Sequence, residues 1–175
     1  VVRPGGVPTR RFDIGIAGGR FVELADDLGA PETDSVFDAA GLLVFPGVVD
    51  AHMHFGIYNA LSDDITSESR AAALGGVTTG ISYIRTGQYY LNRGGSYADF
   101  FPEVRRLTEG RSHIDYGFHV APIEASHRDE IASLVEDYGV SSFKIFMFYG
   151  GHGLHGRSDE QSSFLMTPPG DRYDF

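Results

Sequence analysis

Two hydrophobic periods divide this chain of 175 residues. In the first stretch Phe12, Ile14 and Ile16 alternate with Asp13 and Gly15, Gly18-Gly19 follows, and residues 21–24 return as Phe-Val-Glu-Leu. Alternation around a double glycine predicts a β-hairpin over residues 12–24. Residues 25–35 form an acidic, Gly- and Pro-bearing loop, Ser35 to Asp38 reads as a short strand, and Gly41 marks a turn. From there the pattern changes to apolar runs that alternate with helical stripes. Leu43 to Phe55 is an apolar strand carrying Pro46-Gly47 at its start. Ser62 to Leu74 is helical, with Ser62, Asp63 and Asp64 as capping candidates and Gly75-Gly76 as the stop. Val77 to Tyr83 is a β-branched strand, Tyr97 to Leu107 a second helix ended by Gly110, and Ile114 to Ala121 a third strand. Ser126 opens a third helix, with Asp129 three residues on and a stripe of Ile131, Leu134, Val135 and Tyr138. Val140 to Tyr149 is the fourth strand.

Strands thus begin near residues 43, 77, 114 and 140, with one helix in each gap. That is the repeating unit of a parallel sheet, and an apolar run such as Phe143 to Phe148 implies burial on both faces. Four such units suit a small doubly wound domain or one half of an eight-unit barrel, which takes about 250 residues. Composition narrows the functions. With 24 acidic against 14 basic residues and a net charge of −10, the chain repels phosphate backbones and anionic lipid, so no nucleic-acid or membrane partner is expected. No cysteine is present, which excludes disulfides, thiolate metal sites and a Cys nucleophile and fits a cytoplasmic location. No apolar run approaches the roughly 18 residues that span a bilayer. The chain opens on Val1 without a Met and closes on Phe175 in what reads as a loop, so it is expected to be an N-terminal fragment of something longer.

Chemistry concentrates at two places. In Asp50-Ala51-His52-Met53-His54, strand alternation sets Asp50, His52 and His54 on one face, where two imidazoles one pleat apart can reach a single ion. An HxH alone is equally the mark of two hydrogen-bonded histidines at a strand end. The second place is Lys144, the one lysine among 14 basic residues, set in the apolar run Phe143-Lys144-Ile145-Phe146. Burial favours the neutral amine, a nucleophile that arginine does not offer. The alternative is a lysine that snorkels from a strand end or pairs with a carboxylate.

The segments GLLVFPGVVDAHMHF (41–55), GGVTT (75–79), DYGFH (115–119) and FKIFMFYGG (143–151) together resemble the cyclic-amide hydrolases of the amidohydrolase superfamily. The likeness is in particular to the dihydropyrimidinase/hydantoinase branch, which is related to allantoinase and dihydroorotase. It runs in order across almost the whole chain. It implies the first four β/α units of a (β/α)8 TIM-type barrel over residues 45–175, preceded by part of a small β-sandwich subdomain over residues 1–44. It implies a hydrolase that opens cyclic amide or ureide rings, of dihydropyrimidine or hydantoin type, by metal-activated hydroxide. His52 and His54 then ligate one of two divalent ions, usually zinc, and Lys144, carboxylated by carbon dioxide, bridges both. Tyr149 hydrogen-bonds the developing oxyanion, and Asp50 supports the ligands from behind. A homo-oligomer, a tetramer in such enzymes, is the implied state of the full-length protein. The remaining ligands, two histidines and an aspartate that acts as general base, belong to later strands. His152 and His155 lie in a glycine-rich loop and are not expected to replace them. Where dihydroorotase-like members carry a substrate-binding Arg, this chain has Gly56, which disfavours an acid substrate. Residues 59–63 are expected to form a loop over the mouth, with Tyr58 and Leu61 against a ring substituent. His113, His119 and His127 read as structural or exposed, and Glu124 and the helix carboxylates as solvated surface. The rival readings are another branch, such as allantoinase, and a non-catalytic scaffolding homologue.

Overall fold

The structure, a computed structural model, describes residues 1–2, 5–6, 8–29, 35–87 and 90–145. Two compact units divide at Gly47/Val48. In the first, β1 (Asp13–Ala17) and β2 (Arg20–Ala25) pair antiparallel. The turn is Gly18-Gly19, with φ of +56° and +71°, the two consecutive left-handed residues that a tight hairpin demands. Ser35 to Asp38 is not a strand. Val36 and Phe37 are 81% and 82% exposed and join no ladder, so two strand-favouring residues without a partner did not make a strand there. Among the described residues this unit holds one two-stranded ribbon rather than a sandwich.

The second unit is a curled, four-stranded parallel sheet with helices in the gaps, consistent with part of a TIM-type barrel. Its strands are β3 (Val48–His54), β4 (Val77–Ile84), β5 (Asp115–Val120) and β6 (Ser142–Phe143), in that spatial order. The first strand starts later than its apolar run because Pro46 has no N–H to give. Val48 makes the first ladder contact, donating to the Gly76 carbonyl at 3.0 Å. Helix α1 (Leu61–Leu74) starts behind Ala60 with no side-chain cap, so Ser62, Asp63 and Asp64 do not cap it. Asp64 turns back instead: it accepts the Gly56 N–H at 2.8 Å and the Asn59 amide at 2.9 Å, holding the loop that follows β3. Helix α2 (Tyr97–Thr108) is capped by Ser96, and Glu130 accepts from both the Ser96 hydroxyl and the Ala98 N–H. That carboxylate is therefore not mere solvated surface. The third helix does not open at Ser126. A 3₁₀ helix occupies Ala125–Glu130, closed by a reciprocal pair between Glu124 and His127, and α3 proper is Ile131–Tyr138. Of its stripe, Leu134 is buried and Val135 lies exposed.

The core lies between the sheet and the helices. Phe55, Leu61, Ile65, Ile84, Tyr97, Phe100, Phe101, Val104, Val120 and Leu134 are all buried there. Met53 packs towards this layer and lies against Gly80 of β4, where a Cβ would push its thioether aside. Leu61 is in this core, in the first turn of α1, and so does not line a mouth. Gly56 has its own reason to be glycine. Its φ is +78°, and a Cβ would meet Leu61 at 3.0 Å. Gly56→Ala is expected to destabilise the protein by about 1–3 kcal/mol, measurable by denaturant unfolding, from left-handed strain plus overpacking. An unchanged unfolding midpoint would show that the loop relaxes freely.

Candidate active site

Parallel register decides which side chains share the face away from the helices. His54 pairs with Tyr83, Tyr83 with His119, and His119 with Ser142, a row across all four strands. On the same face stand His52, one pleat before the row in β3, and Lys144, one pleat after it and just beyond β6. The strand order therefore gathers His52, His54, Tyr83, His119, Ser142 and Lys144 from four separate stretches of chain. This is the region towards the C-terminal strand ends, where barrel chemistry is done.

The distances are those of a cluster. The rings of His52 and His54 lie 5.0 Å apart and perpendicular, and His119 is 5.6 Å from His52. Two imidazoles on one tetrahedral ion at ~2.0–2.1 Å have ring centres ~5 Å apart, so the HxH pair is spaced as two ligands would be. Lys144 Nζ lies 3.0 Å from His52 Nε2 and 5.0 Å above the Tyr83 ring. Asp50 Oδ1 accepts the backbone N–H of His52 at 3.0 Å. The donor set fits a divalent ion in part. Among the described residues no three His, Cys, Asp or Glu side chains converge on one point, and His52 and His54 are the pair spaced to share one ion.

Electrostatics favours the ligating forms. Partial burial, helped by Lys144 and His119, holds His52 below the ordinary histidine range, and Asp50 opposes this only weakly. Burial, then His52 and Lys144, do the same for His54. Partial burial also lowers Lys144, which raises the fraction of free amine. The sign for stability follows. A histidine whose folded value is depressed binds fewer protons folded than unfolded, so its contribution is present above pH 6.5, the ordinary histidine value, and is lost as pH falls below it. In metal-free protein the C2 protons of His52 and His54 should titrate below 6.5 by NMR. A midpoint above that value for either ring would contradict this environment.

The sequence-expected residues divide. His52, His54 and Lys144 come together; Asp50 does not share their face, because the register break pairs it with Gly80 rather than in step with His54, and it reaches His52 through the backbone N–H. Tyr149, His152 and His155 lie outside the described residues, as does the expected strand from residue 146 onward. His127 is indeed structural: buried, it receives the Ile123 and Glu124 N–H groups on Nδ1 and meets the Gly95 carbonyl through Nε2. His119 is not. Read as structural or exposed, it stands inside the cluster beside His52. Tyr83 and Ser142 were likewise missed, and only strand register could have exposed them.

Comparison with known proteins gives the family likeness. The chain is 34% identical over 148 residues to a D-hydantoinase of Ralstonia pickettii, and 35% identical over 129 residues to one of Geobacillus stearothermophilus. The matches cover 82% and 71% of this chain but 31% and 26% of those enzymes. A crystal structure of dihydropyrimidinase from Brevibacillus agri superposes with a TM-score of 0.66 at 31% identity, over 79% of this chain and 30% of that one. This chain is a homologue of the hydantoinases and dihydropyrimidinases. It spans about a third of their length, and no family model matches it. No helix among the described residues is long and apolar enough to cross a membrane.

Proposed function

We propose that this chain carries the first half of the catalytic centre of a hydrolase that opens cyclic amides or ureides of the hydantoin or dihydropyrimidine type. The observation that supports it is the approach of Lys144 Nζ to 3.0 Å from His52 Nε2, beside His54, at the strand ends. Divalent ions, zinc by resemblance, supply an acidified water and polarise the ring carbonyl when bound. The residues of this chain do the rest. His52 and His54 present neutral imidazoles. When Lys144 is an ammonium it only donates, so the His52 Nε2 that faces it then accepts. The Lys144 amine attacks the carbon of carbon dioxide, forms an N–C bond and gives up one proton. Counting the proton that the ammonium must first release to become that amine, two protons leave to water in all, and the product is a carbamate whose single negative charge is shared by two oxygens. Tyr149, placed by resemblance, donates its hydroxyl to the carbonyl oxygen as charge develops there. Asp50 holds the backbone at His52.

Elemental analysis of the full protein is the direct test. Two divalent ions per chain are expected, together with turnover of hydantoin or dihydrouracil. Turnover with no ion retained would overturn the reading. The gathering of His52, His54 and Lys144 speaks against a non-catalytic scaffold, and the named relatives do not favour allantoinase.

A further inference from the structure

The register of β3 against β4 breaks between Asp50 and Met53: Asp50 pairs with Gly80 and Met53 with Ser82, so Ala51 and His52 stand opposite Ile81 alone. A bulge of this kind leaves backbone groups outside the ladder and re-aims the side chains it carries. Here the groups concerned are the two ends of one peptide unit. Its N–H, on His52, is taken by Asp50 Oδ1 at 3.0 Å. Its carbonyl, on Ala51, meets Nε2 of His119, reaching over from β5. A carbonyl only accepts, so Nε2 of His119 carries a proton, and its Nδ1 meets the Ser142 hydroxyl from β6. The peptide immediately before His52 is thus clamped at both ends by side chains, and one jaw is fixed from two strands away.

We propose that His119, backed by Ser142, is a positioning residue: with Asp50 it locks the Ala51–His52 peptide in the bulge and so aims the His52 imidazole. The proposal rests on the reading of His52 as a metal ligand. A peptide free to rotate would swing Cα–Cβ of His52 and with it the ring. Partners behind a ligand of this kind typically change metal affinity by about 10–100-fold when removed.

The test uses the full protein in four forms: wild type, His119→Leu, His119→Gln and Ser142→Ala. Zinc affinity is read by competition with a chromophoric chelator, and hydrogen exchange at the His52 amide is read in metal-free protein. His119→Leu should weaken zinc about 10–100-fold and speed exchange at His52, with a smaller effect for Ser142→Ala. His119→Gln, whose amide N–H reaches about as far as Nε2, should restore both readouts to near wild type. Wild-type zinc affinity and exchange in His119→Leu would overturn the proposal. So would equal damage in the Leu and Gln variants, the mark of lost packing rather than a lost donor. If wild type binds no zinc, the metal reading falls, and the exchange comparison alone then upholds or overturns the clamp.

Discussion

Lys144→Arg in the full protein is expected to lower turnover by at least about 100-fold and to reduce bound metal below two ions per chain. The substitution keeps a cation on the same backbone, so charge is not what is lost. What is lost is a lone pair. Arginine stays protonated at any accessible pH and forms no carbamate, whereas partial burial already biases Lys144 towards its free amine. The new side chain also sets a permanent charge where Lys144 Nζ now lies 3.0 Å from His52 Nε2, which opposes any ion bound there. Lys144 is only part-buried at the end of a short strand, so thermal unfolding should move little. Full activity with full metal content would reduce the lysine to a structural cation. Metal loss together with a large fall in melting temperature would point to misfolding instead.

Tyr149→Phe is the second large effect, and it separates chemistry from metal binding. The tyrosine stands five residues beyond Lys144 in the run that resembles the hydantoinases. The variant keeps the ring and deletes one donor. Removing one oxyanion donor typically lowers kcat by about 10²–10³, or roughly 3–4 kcal/mol of transition-state stabilisation. Metal content and melting temperature should stay put, and KM should change modestly, because the donor is used most in the transition state. Steady-state kinetics with a hydantoin beside elemental analysis makes the comparison. Turnover within about threefold of wild type would remove Tyr149 from the mechanism.

What could be read from the chain, and what could not, follows from the range of each interaction. His52 and His54 are legible because a strand has a period of two, and Lys144 because a lone lysine in an apolar run is chemically out of place. The helices at residues 61–74 and 97–108 are legible because Gly75-Gly76 and Gly110 follow them as stops. His119 is not legible. Its meaning depends on a bulge in β3 and on a parallel register that joins residues 68 positions apart in sequence. Asp64 misled for a related reason: as a helix-start carboxylate it looks like a cap, yet the Gly56 N–H across the loop competes for it and wins. Ser35 to Asp38 misled in the opposite direction, since Val36 and Phe37 state only a strand preference and a partner strand is needed to turn it into structure.

The hydrogen bond from His119 to Ala51 joins β5 to β3 across the intervening β4. Geometrically it is a chord. Two strand spacings separate its ends along the sheet, roughly 9.5 Å if the sheet were flat, and only bending brings them within reach of one imidazole. The bond therefore measures the curvature of the sheet at the level of His52. Any change that opens the arc lengthens the chord before it disturbs a single rung between neighbouring strands. Loss of His52 alignment should accordingly be the earliest sign of an expanding barrel, ahead of any loss of secondary structure.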